Sequence, residues 1–470
     1  ELVATTFEPP AGESGGRRAG APSMPLELSS ADRAEIATNP YHLCVALASN
    51  THQQQHSPKR LLHLADELAR HIPLSPDDPR RVTLYVQEAI RTLSSLSGSY
   101  WLPPARVLEC ATQQMHQQWP SDRSLETALH TALADDSRVE CHTASGLVTT
   151  TALARLERKL AASIARLAQS RHPPTEAALR LARSVLDGTL HAHTGCAAKL
   201  LGLDAEQRAA VLCVLSNPVS IITGKAGTGK SSVLAVVEEL IRTTAPTVSH
   251  EHQAQHHLRL AAPTGKAANR LVQLSGGQPA STVHSVLYSR AMPALVTIDE
   301  ASMLDPKLLF DLIGAKESTL RMLVFVGDDA QLPSVCAGAL LRDLIESRRL
   351  PTARLTTIHR TGPGSVIAQK AGAIARGDAT GTHATETREW TVAYGSLAAS
   401  KAAALHRAEQ LHAAGQSSLV MAQTRATCAE LNRELQRVIN PPAPTKRELV
   451  ASSGGAVVWR EGDAVVSTSN

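Results

Sequence analysis

Aromatic side chains are scarce in this 470-residue chain, which holds three Phe, five Tyr and four Trp although 43% of its residues are apolar. Cores must therefore be assembled mainly from Ala, Leu and Val, which favours helix-rich packing. Long hydrophobic runs are missing too. None approaches the roughly 18 residues that a membrane span needs, so no membrane partner is expected. The seven cysteines are odd in number, far apart and never in a CxxC pair. That argues against a disulfide framework or zinc module and suits a reducing, intracellular compartment. A strong charge bias is also lacking. With 47 Lys and Arg against 43 Asp and Glu, net charge +4, the chain is too mildly basic to coat nucleic acid, and any basic groove must be local. The first residue is Glu rather than Met, so the chain reads as a fragment, and the absence of a leader says little about localisation.

What is present changes along the chain. Residues 1–30 are rich in Gly, Pro, Ser and Ala and read as a disordered lead-in. Residues 31–120 are helical by periodicity: Leu61, Leu62, Leu64, Ala65, Leu68 and Ala69 share one face, and Val82, Val86, Ala89, Ile90 and Leu93 another. In 121–190, a helix at 124–134 precedes two β-prone runs around Ala144-Ser-Gly146, the order a small winged-helix unit would show. Linking helices follow at 151–170 and 174–187. Over 191–362, strand and helix alternate as a parallel α/β sheet requires, with strands at 219–222, 258–262, 295–298, 322–326 and 354–358. Residues 363–470 open a second α/β unit: a helix near 396–414, a strand at 418–422 and a helix at 426–438. The histidines of 249–257, and His191 with His193, offer no fixed metal geometry.

The chemistry gathers around Gly224-Lys-Ala-Gly227-Thr228-Gly229-Lys230-Ser231. An apolar strand leads into this loop and a helical pattern leaves it, the setting that gives G-x-x-x-x-G-K-[ST] its meaning as a phosphate loop. Gly224, Gly227, Thr228 and Gly229 turn backbone N–H groups inward as an anion nest at a helix N-terminus. Lys230 then reaches the β/γ-phosphates of ATP, and the Ser231 hydroxyl holds Mg²⁺. Hydrolysis also needs a carboxylate on the metal and another to polarise water. The strand Leu295-Val-Thr-Ile-Asp299-Glu300 supplies both, Asp299 as Mg²⁺ ligand and Glu300 as acceptor of the water proton. Gln331, after Gly327-Asp-Asp, is placed to offer an amide to the γ-phosphate. Arg360, after Leu355-Thr-Thr-Ile-His359, is placed to neutralise charge on the transferring phosphoryl group.

Read together, these stretches resemble the RecD-type DNA helicases of superfamily 1. The resemblance rests on Leu203-Asp-Ala-Glu-Gln207, GKAGTGKS, Ala262-Pro-Thr-Gly-Lys-Ala-Ala, Ser281-Thr-Val-His284, DEASMLD (299–305) and GDDAQLPSV (327–335). It implies a RecA-like P-loop NTPase core with a parallel sheet, preceded by a mostly α-helical region and followed by an incomplete second RecA-like domain. It assigns Gln207 to adenine recognition, and Pro263, Thr264, Lys266 and His284 to the track for single-stranded DNA or a single/double-strand junction. It further implies ATP-driven 5′→3′ movement in DNA repair or recombination.

The likeness extends to Asn39-Pro-Tyr-His-Leu43, Ala65-Asp66-Glu-Leu-Ala69 and Asp77-Asp-Pro-Arg-Arg81, and to Ser418-Leu-Val-Met-Ala-Gln-Thr-Arg425. It departs in three places. No glycine turn stands in 49–58, the stretch between Leu287 and Leu295 is too short for the family's strand-separating pin, and the family's last motifs do not follow Glu461-Gly-Asp463. These departures keep open an alternative, a nucleotide- and DNA-binding protein with a degenerate motor. A fusion to a relaxase is disfavoured, because no metal-binding cluster with a nucleophilic tyrosine precedes the motor.

Overall fold

The structure, a computed structural model, describes residues 30–44, 58–119, 131, 139–170, 175–189, 195–244, 258–274, 279–334, 336–359, 366–375, 377–378, 396–450 and 458–463. Two compact units are present, one spanning Ser30–Pro363 and a second that takes in Gly364–Asn470. The expected helix at 124–134 falls, apart from Thr131, outside the described residues, as do the lead-in through residue 29 and the histidines of 191–193 and 249–257.

The first unit opens with helices α1 (Ser30–Thr38), α2 (Pro58–Ala69), α3 (Pro79–Ser97) and α4 (Pro104–Gln118). Local chemistry delimits α3: Asp78 accepts from the Arg80 amide, Pro79 fills the first turn, and Gly98 closes the last by donating to the Ser94 carbonyl. The apolar faces meet in one core, where Leu62, Ala65, Val82, Val86 and Ile90 pack with Val107 and Met115. Strands β1 (Val139–Cys141) and β2 (Val148–Thr150) pair antiparallel and add Val139 and Val148 to that core.

At its centre Arg81 and Asp66, both side chains 0% exposed, form an ion pair at 2.9 Å. The Tyr41 and Tyr85 hydroxyls also donate to Asp66, and Arg81 donates to the Pro76 and Met115 carbonyls. A buried pair holds only when its remaining donors and acceptors are satisfied in this way. Two of the family-like stretches, Ala65–Ala69 and Asp77–Arg81, therefore serve this core.

Helices α5 (Thr151–Ala168), α6 (Glu176–Leu186), α7 (Gly195–Leu201) and α8 (Ala205–Ser216) lead to the sheet. Its strands alternate with helices in sequence: β3 (Val219–Gly224), α9 (Lys230–Thr244), β4 (Leu258–Ala262), α10 (Gly265–Leu274), β5 (Ala280–Thr282), α11 (Val283–Tyr288), β6 (Leu295–Ile298), α12 (Pro306–Lys316), β7 (Met322–Gly327), α13 (Leu340–Glu346) and β8 (Thr352–Leu355). The order is β5-β4-β6-β7-β3-β8, all parallel, which gives the RecA-like core.

Register fixes the layers. Ile221 lies opposite Phe325 and Ile222 opposite Val326. Ile221 and Phe325 enter the core with α5, α12 and α13, whereas Ile222 and Val326 enter the core with α6, α8 and α9. Strands covered on both faces are continuous apolar runs, which is why β3 and β7 stand out in the sequence.

The edge strand β8 lies at Thr352–Leu355 rather than at 354–358, because its partner β3 ends at Gly224, opposite Leu355. Short β5 carries no apolar run. In the second unit α14 (Val366–Ala375), α15 (Leu397–Ala413), α16 (Arg425–Ile439) and an antiparallel pair, β9 (Glu448–Val450) with β10 (Val458–Arg460), are present. The strand expected at 418–422 is absent there. Leu419 and Met421 are each 83% exposed, and an apolar run gains strand structure only when a neighbour pairs with it.

Candidate active site

The phosphate loop leaves β3 at the C-terminal edge of the sheet, where parallel α/β folds bind ligands. Gly227 and Gly229 have φ of +88° and +82°, the left-handed turns that point successive amides into one concavity. Two glycines are required by close approach as well. A Cβ on Gly229 would lie 2.2 Å from Gln207 Nε2, and one on Gly224 would lie 2.6 Å from the Leu355 carbonyl. Thr228 is buried and its hydroxyl donates to the Lys225 carbonyl. Lys230 arches back over the loop to donate to the carbonyls of Gly224 and Lys225, and half-buried Ser231 follows it in the first turn of α9.

Gln207 is built into this cradle. It is the third residue of α8 and forms a capping box with Asp204: the Gln207 amide donates to Asp204 Oδ1, and the Asp204 amide donates to Gln207 Oε1. Its Nε2 donates to the Thr228 carbonyl at 3.2 Å. The chain beyond β8 is clasped to the same helix end. Glu206 accepts from the Thr356 amide, the Thr356 hydroxyl and the Thr357 amide. His359 Nε2 lies 3.0 Å from Asp204 Oδ2, and the His359 amide donates to the Gly227 carbonyl at 2.8 Å. Arg360 itself lies outside the described residues.

The acidic edge stands two strands away. Asp299 continues β6, its amide donating to the Ala261 carbonyl, and its Oδ1 accepts the Glu300 amide at 2.9 Å. Burial pushes the Asp299 carboxyl above its ordinary range, with the Glu300 amide and the charges of Lys230 and Arg270 opposing the rise. Glu300 adopts φ +51°, a conformation that costs a non-glycine residue on the order of 1–3 kcal/mol and persists only where the surrounding structure enforces it. Gln331 is exposed in a turn tied by Asp328, which accepts from the amides of Ala330 and Gln331. Asp329 joins that turn to the cradle by accepting from Thr223 at 2.8 Å and Arg354 at 3.0 Å. Burial works against ionisation of Asp329, but these hydrogen bonds and the Arg354 charge outweigh it and hold the carboxyl below its ordinary range.

The four residues assigned to the DNA track gather on another part of this edge. Pro263 and Thr264 follow β4, Lys266 lies in the first turn of α10, and His284 follows β5, the parallel neighbour of β4. Thr264, Lys266 and His284 are exposed. The Thr264 hydroxyl accepts the Ala267 amide and so caps α10.

Several site residues escaped sequence reasoning. Glu206, Thr356 and His359 were adjacent to recognised positions, but their pairing spans about 150 residues of chain and only the fold reveals it. Glu238 on α9 is a buried acid next to a half-buried one, Glu239, and the sequence alone does not say which faces inward. Among the described residues no group of three or more His, Cys, Asp and Glu side chains forms a metal cluster, and no helix is long and apolar enough to cross a membrane.

Residues 202–395 match the family described as an AAA domain. The chain is 30% identical over 323 residues to the ATP-dependent RecD2 DNA helicase of Deinococcus radiodurans, covering 64% of this chain and 41% of that protein. It is 36% identical over 206 residues to the RecBCD enzyme subunit RecD of Mycolicibacterium smegmatis, covering 37% and 36%. It thus spans less than half the length of these relatives and is RecD-like in sequence. The Pif1 helicase of Candida albicans aligns in structure at 23% identity with a TM-score of 0.31, covering 44% of this chain and 54% of that one.

Proposed function

We propose that this RecD-like chain carries the ATPase half of a DNA helicase, coupling ATP hydrolysis to 5′→3′ movement on single-stranded DNA or at a strand junction, in repair or recombination. The observation that carries the reading is the shared edge: a glycine-turned cradle overlaid by Gln207, with Asp299 and Glu300 delivered from the same sheet. Lys230 leaves its loop carbonyls for the β/γ-phosphates when ATP enters. The oxygen donors Ser231 and Asp299 suit Mg²⁺, which when bound neutralises phosphate charge. Glu300 accepts the proton of the attacking water, Gln331 faces the γ-phosphate, Gln207 reads the adenine edge, and Arg360 offsets charge on the transferring group. Pro263, Thr264, Lys266 and His284 hold the DNA strand, largely through phosphates. Polarity and pathway rest on the family resemblance.

ATP turnover measured with and without single-stranded DNA tests this. Stimulation by DNA is expected, Lys230→Ala abolishes turnover, and Glu300→Gln retains ATP binding while turnover falls about 100-fold or more. Nucleotide binding by the unaltered protein with no turnover on DNA would instead establish the degenerate-motor reading. Unwinding of duplexes with a 5′ rather than a 3′ overhang tests the polarity.

A further inference from the structure

In a chain so poor in aromatics, one is spent on the surface. Tyr288, the last residue of α11, is 80% exposed, the most exposed aromatic side chain among the described residues. Its mount is firm: Val283 and Val286 are buried beneath α11, and the carbonyl of Ser289 accepts from Lys316 Nζ at 2.7 Å. His284 lies four residues earlier, on the same face of the helix and about 6 Å away along its axis. The chain segment that carries it has no acidic residue, a composition that suits a polyanion. Residues 258–293 contain no Asp or Glu, while Arg259, Lys266, Arg270 and Arg290 supply positive charge.

We propose that Tyr288 is a base-stacking platform of the single-strand track, holding the base next to the nucleotide that His284 contacts. The inference rests on the single-stranded DNA reading above and adds a contact that phosphate-binding groups do not make. An exposed ring on a firm mount, within a basic stretch of chain, suits the stacking by which sequence-tolerant strand binders hold successive bases. The short segment after α11 leaves the ring uncovered, so the strand itself is its occupant.

Binding of a labelled oligo-dT followed by fluorescence anisotropy over a salt series tests this. Tyr288→Ala is expected to weaken binding roughly five- to 150-fold with the salt slope unchanged, because no phosphate contact is lost. Tyr288→Trp is expected to restore affinity, with indole emission quenched on binding. Unaltered affinity in Tyr288→Ala, or a shallower salt slope, overturns the platform while leaving the DNA reading intact. Failure of the unaltered protein to bind the oligonucleotide overturns both.

Discussion

Glu238 shows how much one residue can hide inside a recognisable motif helix. It is 5% exposed and neither carboxyl oxygen has a hydrogen-bond partner in the structure. Burial first, and the Asp299 charge second, push its pKa from 4.5 up to about 8. Between those values the folded protein keeps a proton that the unfolded chain has released, so stability falls as pH rises through the window and levels off above it. Glu238→Gln removes the titration with little change of shape. The variant should match the original protein near about pH 5 and exceed it near about pH 8 by on the order of a few kcal/mol, read from thermal melts across that range. Parallel melting curves for the two proteins would show that Glu238 is not held neutral.

At the scale of elements, the informative piece is the segment 356–359, which runs on after β8 stops pairing. Three of its donors converge on Glu206, one residue before Gln207, and its end is bonded to Gly227. Hydrogen bonding from the Thr356 hydroxyl, above all, holds the Glu206 carboxyl below its ordinary range, so the clasp is present at neutral pH and weakens as pH falls through that lowered value. Glu206→Ala should raise the KM for ATP roughly three- to tenfold and speed amide exchange across 352–359. Unchanged exchange there would mean that the clasp does not order the segment. The same elements mark what was legible. β3, β6 and β7 are fully buried apolar runs and could be read directly, and the phosphate loop and Asp299-Glu300 with them. β5, built from Ala280-Ser-Thr282, has no such pattern, and the end of β8 depends on where β3 ends. Long-range pairings such as Glu206 with Thr356 carry no local signal at all.

At the scale of the first unit, the helical part has a core of its own, built from residues between Tyr41 and Val148, with no strand of the large sheet in it. Helix α5 packs Leu153 on this core and Leu160 and Ile164 on the sheet core, and further contacts join the two: the Tyr100 ring lies against Gly338, Gly98 lies against Pro333, Trp101 donates to Glu157 at 2.7 Å, and Arg158 donates to Glu140 at 2.7 Å. Two cores built from separate sets of buried side chains can lose stability separately. Arg81→Met is the sharpest probe, since it strands the Asp66 charge in a fully buried site, a change that costs about 3–5 kcal/mol. The phosphate loop and its Asp299 edge share no side chain with that network. Calorimetry should therefore show the variant gaining an early transition, while a later one persists and still rises on adding ATP with Mg²⁺, as ligand linkage requires. A single transition shifted down as a whole, with nucleotide affinity lost at temperatures below it, would show that the helical core and the sheet core fold as one cooperative body.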